Sequence, residues 1–533
     1  MKQLLTLAFA LFVALSSSTA QVTTNYEVQL NPISIPGLPG LHSYAFGQDN
    51  GKWLIIGGRR DGLHARQPFN SFPQNQNNDS IYVVDIAAQQ FWSASLNSLA
   101  TSIKEQLQST NMNFYQDGDS LYIIGGYAFS PTANNHITFP NLSAIDVPAL
   151  ITAIVNGTAI SPYIRQISYP NFAVSGGQIG KIGSTFYLVG GHNFNGRYNP
   201  RGNPTYTQSY TNQIRKFEIT QNATSLSVRN YQTITDAVHL RRRDYNLMPQ
   251  IFPDGTEGYT ISSGVFQPTV DLPFLYPVDI TANGYNPITS FNQYLSNYHS
   301  AKVAFYDSLQ NEMHSLFFGG MSQYYYQNGN LIQDNQVPFV RTISRLSRYA
   351  DSSLQEFQLS SQMPNFKGAS AEFILNENLP HYESEIIKLN DIQADTIAIG
   401  HIYGGILSNS LNPFSTNQTN TTSADPSIYQ VDLIRSRSTN LQDIKGEHQL
   451  DFKVFPNPVE NTIHLELHLD QAAPISYLLS NVQGQIIQQG IWEGRVGDNE
   501  LNLKLSDQLK SGTLSLTLAV DHKYFSTKKI VVK

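Results

Sequence analysis

The chain of 533 residues contains no cysteine, so disulfide bonds, thiolate catalysis and cysteine-ligated metals are excluded. Charged residues are scarce, at 14%, and the formal net charge is −7, which argues against nucleic acid as a partner. After the first 20 residues, no apolar run reaches the 18 residues typical of a membrane-spanning helix. The sequence also lacks the metalloprotease, nucleophile-elbow and P-loop patterns.

Aromatic residues and turn formers are abundant. The chain has 29 Tyr, 28 Phe, 36 Gly and 26 Pro. Aromatic side chains favour strands, while Gly and Pro favour the turns between them. The composition therefore predicts an all-β protein with many short connections.

The first 20 residues have the pattern of a secretory signal peptide. Lys2 precedes an apolar run from Leu4 to Leu15, and small residues follow up to Ala20. The alternative is a membrane anchor, but about twelve apolar residues are too few to cross about 30 Å of hydrocarbon. We predict cleavage after Ala20 and a mature chain with no transmembrane segment.

The central region repeats one pattern six times. An apolar strand ends in Gly-Gly, a polar stretch follows, and a second strand such as "IYVVDI" comes next. The pairs are Gly57-Gly58, Gly125-Gly126, Gly190-Gly191, Gly319-Gly320 and Gly404-Gly405, with a degenerate sixth copy at Ser263-Gly264. Such repeats predict four-stranded sheets that bury their faces against one another around a central channel. The predicted fold is an all-β, six-bladed β-propeller followed by a small β-sandwich.

The Gly-Gly pairs suit the end of each second strand, where a Cβ atom would clash or positive φ is needed. The innermost strands should precede them, beginning near His42, Asn113, Asn171, Arg243, His299 and Ser370. The sixth repeat has no fourth strand before residue 438, whereas residues 25–31, "NYEVQLN", resemble the fourth strand of the fifth repeat. We therefore predict that residues 25–31 complete the last blade and close the ring.

The repeats resemble kelch repeats, most clearly in the first copy. Gly57-Gly58, Tyr82, Asp85 and Trp92 occupy kelch-like places there. The repeats average about 70 residues, against about 50 for kelch. The resemblance implies a propeller domain over residues 21–438 but no particular chemistry.

The carboxyl-terminal region predicts a separate β-sandwich. A polar linker at 439–450 precedes residues 451–533, in which alternating strands are separated by glycines. "FKVFPNPVENTIHLEL", "NVQGQII" and "STKKIVVK" resemble the C-terminal sorting domain of the type IX secretion system of Bacteroidetes. The signature residues are Pro456, Asn457, Pro458, Gly484, Gly512, Lys528, Lys529 and Lys533.

That resemblance implies the type IX secretion machinery as a partner. It also implies export through the periplasm, with the protein secreted or held at the outer-membrane surface. The alternative from the residues alone is an accessory β-sandwich that binds a ligand.

The repeats are longer than kelch repeats, and the additional residues lie mostly between the second and third strands of each repeat. These segments are 59–80, 127–141, 192–212, 321–340 and 406–426, with a shorter one at 265–273. Equivalent loops should emerge on one rim, where repeat proteins commonly bind. They are rich in Asn, Gln, Tyr, Phe and Arg, although polar loops without a ligand are an alternative interpretation.

Nine residues are candidates for ligand binding. Five lie in the long loops, two belong to a basic cluster that could bind an anionic glycan or carboxylate, and two histidines occupy matching places on innermost strands. They are His192, Arg197, Tyr198, Tyr324 and Tyr325, then Arg241 and Arg243, and finally His42 and His299. The alternatives are surface ion pairs for the arginines and buried, hydrogen-bonded rings for the histidines.

These features favour an exported propeller that binds a glycan or protein through one rim. A polysaccharide-active enzyme that uses two carboxylates stays open, because 40 acidic residues leave many candidate pairs. A structural or adhesion protein without a discrete pocket stays open as well. We predict no metal and no other cofactor.

Overall fold

A computed structural model describes residues 24–67, 70–200, 204–222, 225–437, 452–481, 486–505, 511–520 and 524–533. Contacts divide the chain into a large unit, Asn25–Ser436, and a second unit that includes Arg437–Lys533. The signal peptide at 1–20, the linker at 439–450 and Gly484 lie outside the described residues.

The large unit contains six sheets of four strands in sequence order. Sheet 1 has β2 (Ala45–Asp49), β3 (Lys52–Ile56), β4 (Ser80–Asp85) and β5 (Gln90–Ser95). Sheet 2 has β6 (Asn113–Asp117), β7 (Ser120–Ile124), β10 (Asn141–Asp146) and β11 (Ile164–Ser168). Sheet 3 has β12 (Gln178–Ile182), β13 (Thr185–Val189), β16 (Gln213–Gln221) and β17 (Leu226–Thr235).

The other three sheets follow the same order, with one addition. Sheet 4 has β18 (Asn246–Ile251), β19 (Glu257–Ser262), β20 (Val278–Thr281) and β21 (Gly284–Pro287). Sheet 5 has β22 (Ala301–Asp307), β23 (Glu312–Phe318), β26 (Thr342–Arg348) and β27 (Leu354–Gln362), and β30 (Ile386–Lys388) runs parallel to β22. Sheet 6 has β29 (Glu372–Leu375), β31 (Thr396–Tyr403), β34 (Ile428–Arg437) and finally β1 (Thr24–Ile33), which pairs with β34. Residues 25–31 therefore lie beside the last strand of the unit.

The third innermost strand begins later than the sequence analysis expects. Pro170–Phe172 form a short 3-10 helix, and β12 starts at Gln178 rather than near Asn171. Proline fixes φ and removes a backbone donor, so it favours this turn over a strand.

The Gly-Gly pairs follow the second strands and have positive φ, as expected. The first glycine of each pair closely approaches the next sheet's leading segment. At Gly404, for example, a Cβ atom would lie 2.2 Å from the carbonyl oxygen of Leu41. Gly405 then donates a hydrogen bond to that same oxygen at 2.8 Å, which links sheet 6 to sheet 1.

Buried hydrophobic clusters lie between neighbouring sheets. One cluster joins sheets 1 and 2, and further clusters join each later sheet to the next. Another joins sheet 6 back to sheet 1 through Tyr403, Ile374, Tyr44 and Trp53. Each sheet therefore buries side chains against both of its neighbours, and this shared burial stabilises the unit.

Six backbone hydrogen bonds of 2.8–3.1 Å form a closed ring that takes one residue from each sheet. We call this ring the collar. Each member lies two positions before the first residue of an innermost strand. Each donates its N–H to the carbonyl of the member that belongs to the preceding sheet. The members are Ser43, Asn111, Gly176, Asp244, His299 and Ser370.

Four of the long loops contain additional short strands. They are β8 (Tyr127–Ser130) with β9 (Asn135–Thr138), β14 (His192–Gly196) with β15 (Tyr206–Tyr210), β24 (Tyr324–Gln327) with β25 (Asn330–Gln333), and β32 (Ile406–Ser408) between β28 (Phe366–Ala369) and β33 (Thr422–Ala424). Helices α1 (Thr101–Leu107) and α2 (Val147–Val155) pack on sheets 1 and 2. Among the described residues, no helix combines the length and apolarity needed to cross a membrane.

The second unit has two sheets around its own core. One contains β35 (Phe452–Phe455), β36 (Thr462–Leu469) and β39 (Gly497–Lys504). The other contains β38 (Ile486–Gly494), β37 (Ala473–Asn481), β40 (Gly512–Val520) and β41 (Tyr524–Val532). Alternate residues of β36 and β40 face the core, as a sandwich requires.

Candidate functional site

The collar places several predicted residues in one tier. In sheets 1 to 4, the residue just before the collar member forms a β-bridge with the residue just after the Gly-Gly pair or its Ser263-Gly264 counterpart. His42 bridges Arg59 in this way, Ser175 bridges His192, and Arg243 bridges Val265. Backbone pairing therefore holds His42 and Arg243 at equivalent places next to the collar, and it holds His192 at the place that their bridge partners occupy.

The long loops of sheets 1, 2 and 3 are tied together above this tier. Arg197 donates from Nε to the carbonyl of Ser71 at 2.6 Å, and Ser71 Oγ donates to the carbonyl of Tyr198 at 2.8 Å. The Nε2 atom of His136 lies 2.9 Å from the carbonyl oxygen of Phe72. These contacts fix the loops against one another.

His64 is the centre of an aromatic cluster that spans three loops. Its ring stacks on Phe72 at 4.9 Å and meets Tyr198 and Phe414 edge-on at 4.8 and 5.5 Å. Burial lowers the pKa of His64 to about 4, and the charge of Arg243 acts in the same direction. The imidazole is therefore neutral at pH 7. We call His64, Phe72, Tyr198 and Phe414 the aromatic cluster.

Arg59, Asp61 and His42 form a charged group beside the aromatic cluster. Two guanidinium nitrogens of Arg59 donate to the Asp61 carboxylate at 2.7 and 2.6 Å. Burial by itself would raise the pKa of Asp61, but the hydrogen bonds and charge of Arg59, together with the nearby His42, lower it to about 2. The carboxylate is therefore ionised at neutral pH.

His42 also contacts Ser43, so a serine, a histidine and an aspartate lie next to one another in space. Nδ1 of His42 lies 3.0 Å from Ser43 Oγ, and Nε2 lies 3.8 Å from Asp61 Oδ1. The second distance exceeds hydrogen-bonding range, and Arg59 already occupies both carboxylate oxygens of Asp61. The arrangement differs in this respect from a catalytic triad, in which the acid hydrogen-bonds to the histidine.

Arg241 and Arg243 surround Tyr210. The Arg241 guanidinium lies 3.8 Å from the Tyr210 ring centroid, and Arg243 Nε donates to the Tyr210 hydroxyl at 3.2 Å. Arg243 also pairs with Asp244 of the collar and lies 5.2 Å from the Phe266 ring. Burial would lower the pKa of Arg243, but Asp244 raises it above the usual range. We call Arg241, Arg243, Tyr210 and Phe266 the arginine cluster.

The intervening Arg242 has a different role. It is fully buried and donates to the carbonyls of Ser263 and Tyr276 at 2.8 Å, with its guanidinium 4.2 Å from the Phe274 ring. Burial lowers the pKa of Arg242 to about 10. Only the alternate arginines thus face the loops, so Arg242 holds the strand ends together.

The structure brings together most, but not all, of the predicted residues. The His192 ring lies 6.1 Å from the Tyr210 ring, and His192 Nδ1 accepts a 2.6 Å hydrogen bond from Gln208 Nε2. His299 lies in the collar and pairs with Glu372 at 3.1 Å. Tyr324 packs against Tyr294 at 4.7 Å. In the described part of the chain, neither Tyr324 nor its neighbour at 325 has a ring contact or hydrogen bond with the two clusters.

Sequence reasoning missed Arg59, Asp61, His64 and Phe72. One signal was available, because Arg59, Arg60 and Asp61 repeat the order of Arg242, Arg243 and Asp244. Within the described ranges, no three His, Cys, Asp or Glu side chains are grouped so that they could hold a metal ion.

In the second unit, Asn457 links the Pro-Asn-Pro segment to the last strand. Its Nδ2 donates to the carbonyl of Lys529, and its Oδ1 accepts from the N–H of Val531, both at 2.8 Å. Val459 extends the contact, because its N–H donates to the carbonyl of Val531 at 2.7 Å. The motif and the basic tail are therefore one structural element.

A protein-family model described as "Secretion system C-terminal sorting domain" matches residues 453–533. Residues 453–533 are a type IX sorting domain. This protein is therefore exported by type IX secretion, to the cell surface or into the medium. The sorting domain makes the type IX machinery a partner of the chain.

No curated protein matches the chain. Among solved structures, one described as "Structure of YjhT" is similar, with 12% sequence identity and a TM-score of 0.41. The match covers 74% of this chain and 96% of that one.

Proposed function

We propose that residues 25–436 form a closed six-bladed, kelch-like propeller. Three observations support closure: the collar takes one residue from each sheet, buried clusters join sheet 6 to sheet 1, and β1 pairs with β34. A closed ring leaves no unpaired sheet edge between first and last blades. It also places all the long loops on one rim.

On this rim, the protein binds an acidic glycan. The observation that carries this proposal is the convergence of loops from sheets 1, 3 and 6 on the aromatic cluster, next to the arginine cluster. Side chains of both clusters are half-buried, so they are accessible yet held in place. The contacts between these loops favour a binding face over independent polar loops.

The two clusters suit the two parts of such a ligand. Aromatic planes stack on the apolar faces of sugar rings, and guanidinium groups donate paired hydrogen bonds to carboxylates. Arg241 donates from Nη1 to the carbonyls of Phe266 and Gln267, but no carboxylate of the described residues pairs with it, whereas Asp244 already neutralises Arg243. Since the interaction is partly ionic and lies near the surface, its affinity should fall as salt rises.

Calorimetric titration of the mature full-length chain tests the proposal. The probes are oligosaccharides that contain uronic or sialic acids, each paired with its carboxyl-reduced form. We expect saturable binding of an acidic oligosaccharide that weakens at least tenfold on carboxyl reduction and at least tenfold with Arg241→Met, as for a central interface arginine.

Arg229→Met is the matched control, because Arg229 is exposed on the outer strand β17. It should leave binding unchanged. The proposal is wrong if no acidic oligosaccharide binds, or if Arg241→Met and Arg229→Met behave alike. Release of a shorter product in the same samples would favour the enzyme alternative.

A further inference from the structure

A cavity of about 160 Å³ lies on the other side of the collar from the rim clusters. Its lining comes from the innermost strands β2, β6, β12, β18, β22 and β29, and collar residues form one end. Glu385 also lines the cavity and is exposed to solvent, so the cavity opens at the Glu385 end. A ligand that enters there does not pass the rim.

Four ionisable side chains from sheets 5 and 6 line this cavity. His299 pairs with Glu372 at 3.1 Å, and this pair is largely buried. Lys302 and Glu385 are different, because among the described residues neither side chain has a hydrogen-bond or ion-pair partner within 4 Å. Lys302 is half-buried and Glu385 lies at the open end, so the cavity presents one unpaired charge of each sign to a ligand that enters.

For both Lys302 and Glu385, burial and the neighbouring opposite charges shift the pKa in opposite directions. Burial lowers the pKa of the Lys302 ammonium, while the charges of Glu372 and Glu385 raise it. Burial raises the pKa of the Glu385 carboxyl, while His381 and Lys302 lower it. Each group therefore stabilises the charge of the other, and both gain from an additional counter-charge.

Part of the cavity wall is aromatic, and two of its side chains are held by hydrogen bonds. Phe114, Tyr115 and Tyr259 line the cavity, and the Tyr259 hydroxyl accepts a hydrogen bond from the Lys181 N–H at 2.8 Å. The Gln178 side chain is fixed by an acceptor contact with the Leu247 N–H at 3.0 Å. The cavity is thus preformed, which reduces the ordering cost of binding a small molecule.

We propose that this cavity binds a small zwitterion of the α-amino acid type, with its carboxylate at Lys302 and its ammonium group at Glu385. The charge count favours this class. His299 contacts Glu372, and Asp244, which also lines the cavity, pairs with Arg243. Lys302 and Glu385 are thus the two charged groups without a partner among the described residues, one of each sign, so a simple anion meets Glu385 and a simple cation meets Lys302. A zwitterion satisfies both.

The test is titration of the mature full-length chain with glycine, alanine, leucine and phenylalanine. Ligand-observed NMR detects binding. Each amino acid is compared with its N-acetyl derivative and its amide. We expect saturable binding of at least one amino acid, and at least tenfold weaker binding of both derivatives.

Two variants assign the contacts. Lys302→Met should abolish the preference for the free acid over the amide, and Glu385→Gln should abolish the preference for the free amine over the N-acetyl form. Each should weaken binding of the amino acid at least tenfold. Lys216→Met and Glu383→Gln, at exposed or half-buried positions outside the cavity lining, are the matched controls.

The result that overturns the proposal is an absence of saturable binding by all four amino acids, or binding that survives both Lys302→Met and Glu385→Gln. Binding of the amide or the N-acetyl form as tightly as the free amino acid overturns it as well. Arg241→Met should leave amino-acid binding unchanged, so a failure here and a failure of glycan binding at the rim are separate outcomes.

Discussion

Replacement of Tyr26 tests the closure of the large unit directly. Tyr26 lies on β1, only six residues after the predicted signal cleavage site, yet its side chain is 1% exposed. Its ring lies 5.0 Å from Phe305 and 4.7 Å from His314, and the Arg345 guanidinium lies 5.1 Å from its centroid. All three contacts belong to sheet 5, so β1 packs across the boundary between sheets 5 and 6.

The structure distinguishes two substitutions in magnitude. Tyr26→Ala removes a buried aromatic ring and should lower the free energy of unfolding by about 3–5 kcal/mol. Tyr26→Phe loses only a long hydrogen bond of 3.4 Å to Asp307, whose carboxylate keeps the N–H groups of Leu309 and Gln310 as donors. Its cost should stay below about 1 kcal/mol.

Thermal and urea unfolding of the mature chain measure both effects, with Trp53 and Trp92 as fluorescent reporters in the large unit. For a unit of this size, about 4 kcal/mol corresponds to a melting temperature lowered by about 3–5 °C. Tyr326→Ala is the control, because Tyr326 is 44% exposed, and it should change stability by less than about 0.5 kcal/mol. If Tyr26→Ala behaves like that control, β1 does not close the unit.

Two further predictions concern Asn457 and Glu356. Asn457→Ala leaves the Lys529 carbonyl and the Val531 N–H without their side-chain partner, so it should destabilise the sorting domain by about 1–3 kcal/mol. It should also reduce the secreted fraction of the protein, measured by immunoblots of the medium and of the cells. Unchanged export would refute the link between this contact and secretion. Burial raises the pKa of Glu356 to about 8, whereas its value in the unfolded chain is about 4.3. Between these values the folded state binds one proton more than the unfolded state. The free energy of unfolding should therefore fall as pH rises from about 5 to about 8. Urea midpoints across that range should show the fall in the wild type but not in Glu356→Gln, and parallel curves would contradict the assignment.

Features that depend on local backbone geometry could be predicted from the sequence. The Gly-Gly pairs have positive φ because the next sheet approaches within contact distance, and Gly404 against Leu41 is one example. The alternation of apolar residues located the strands of the sorting domain for the same reason, since every second side chain of β36 is buried. In both cases the constraint selects the residue type at positions that are adjacent in sequence, even where the group that imposes it is distant, as Leu41 is from Gly404.

The site depends on contacts between distant residues, which local patterns do not encode. His64 meets Tyr198 and Phe414 only because three loops converge, and nothing near His64 in the sequence indicates those partners. The sequence predicts only a loop where β24 and β25 form a hairpin. Tyr324 and Tyr325 have the chemistry of a binding site, but the Tyr324 ring packs against Tyr294.

The position of a residue relative to the collar indicates which of the two proposed sites it lies near. A residue one position before a collar member, such as His42 or Arg243, is held by its bridge on the rim side. A residue two or three positions after a collar member, such as Glu372 or Lys302, lines the cavity. Glu372 and Lys302 thus lie on the inner strands β29 and β22, whereas His42 and Arg243 lie before β2 and β18. The two proposed sites can therefore be altered independently, although both depend on the same ring of six hydrogen bonds.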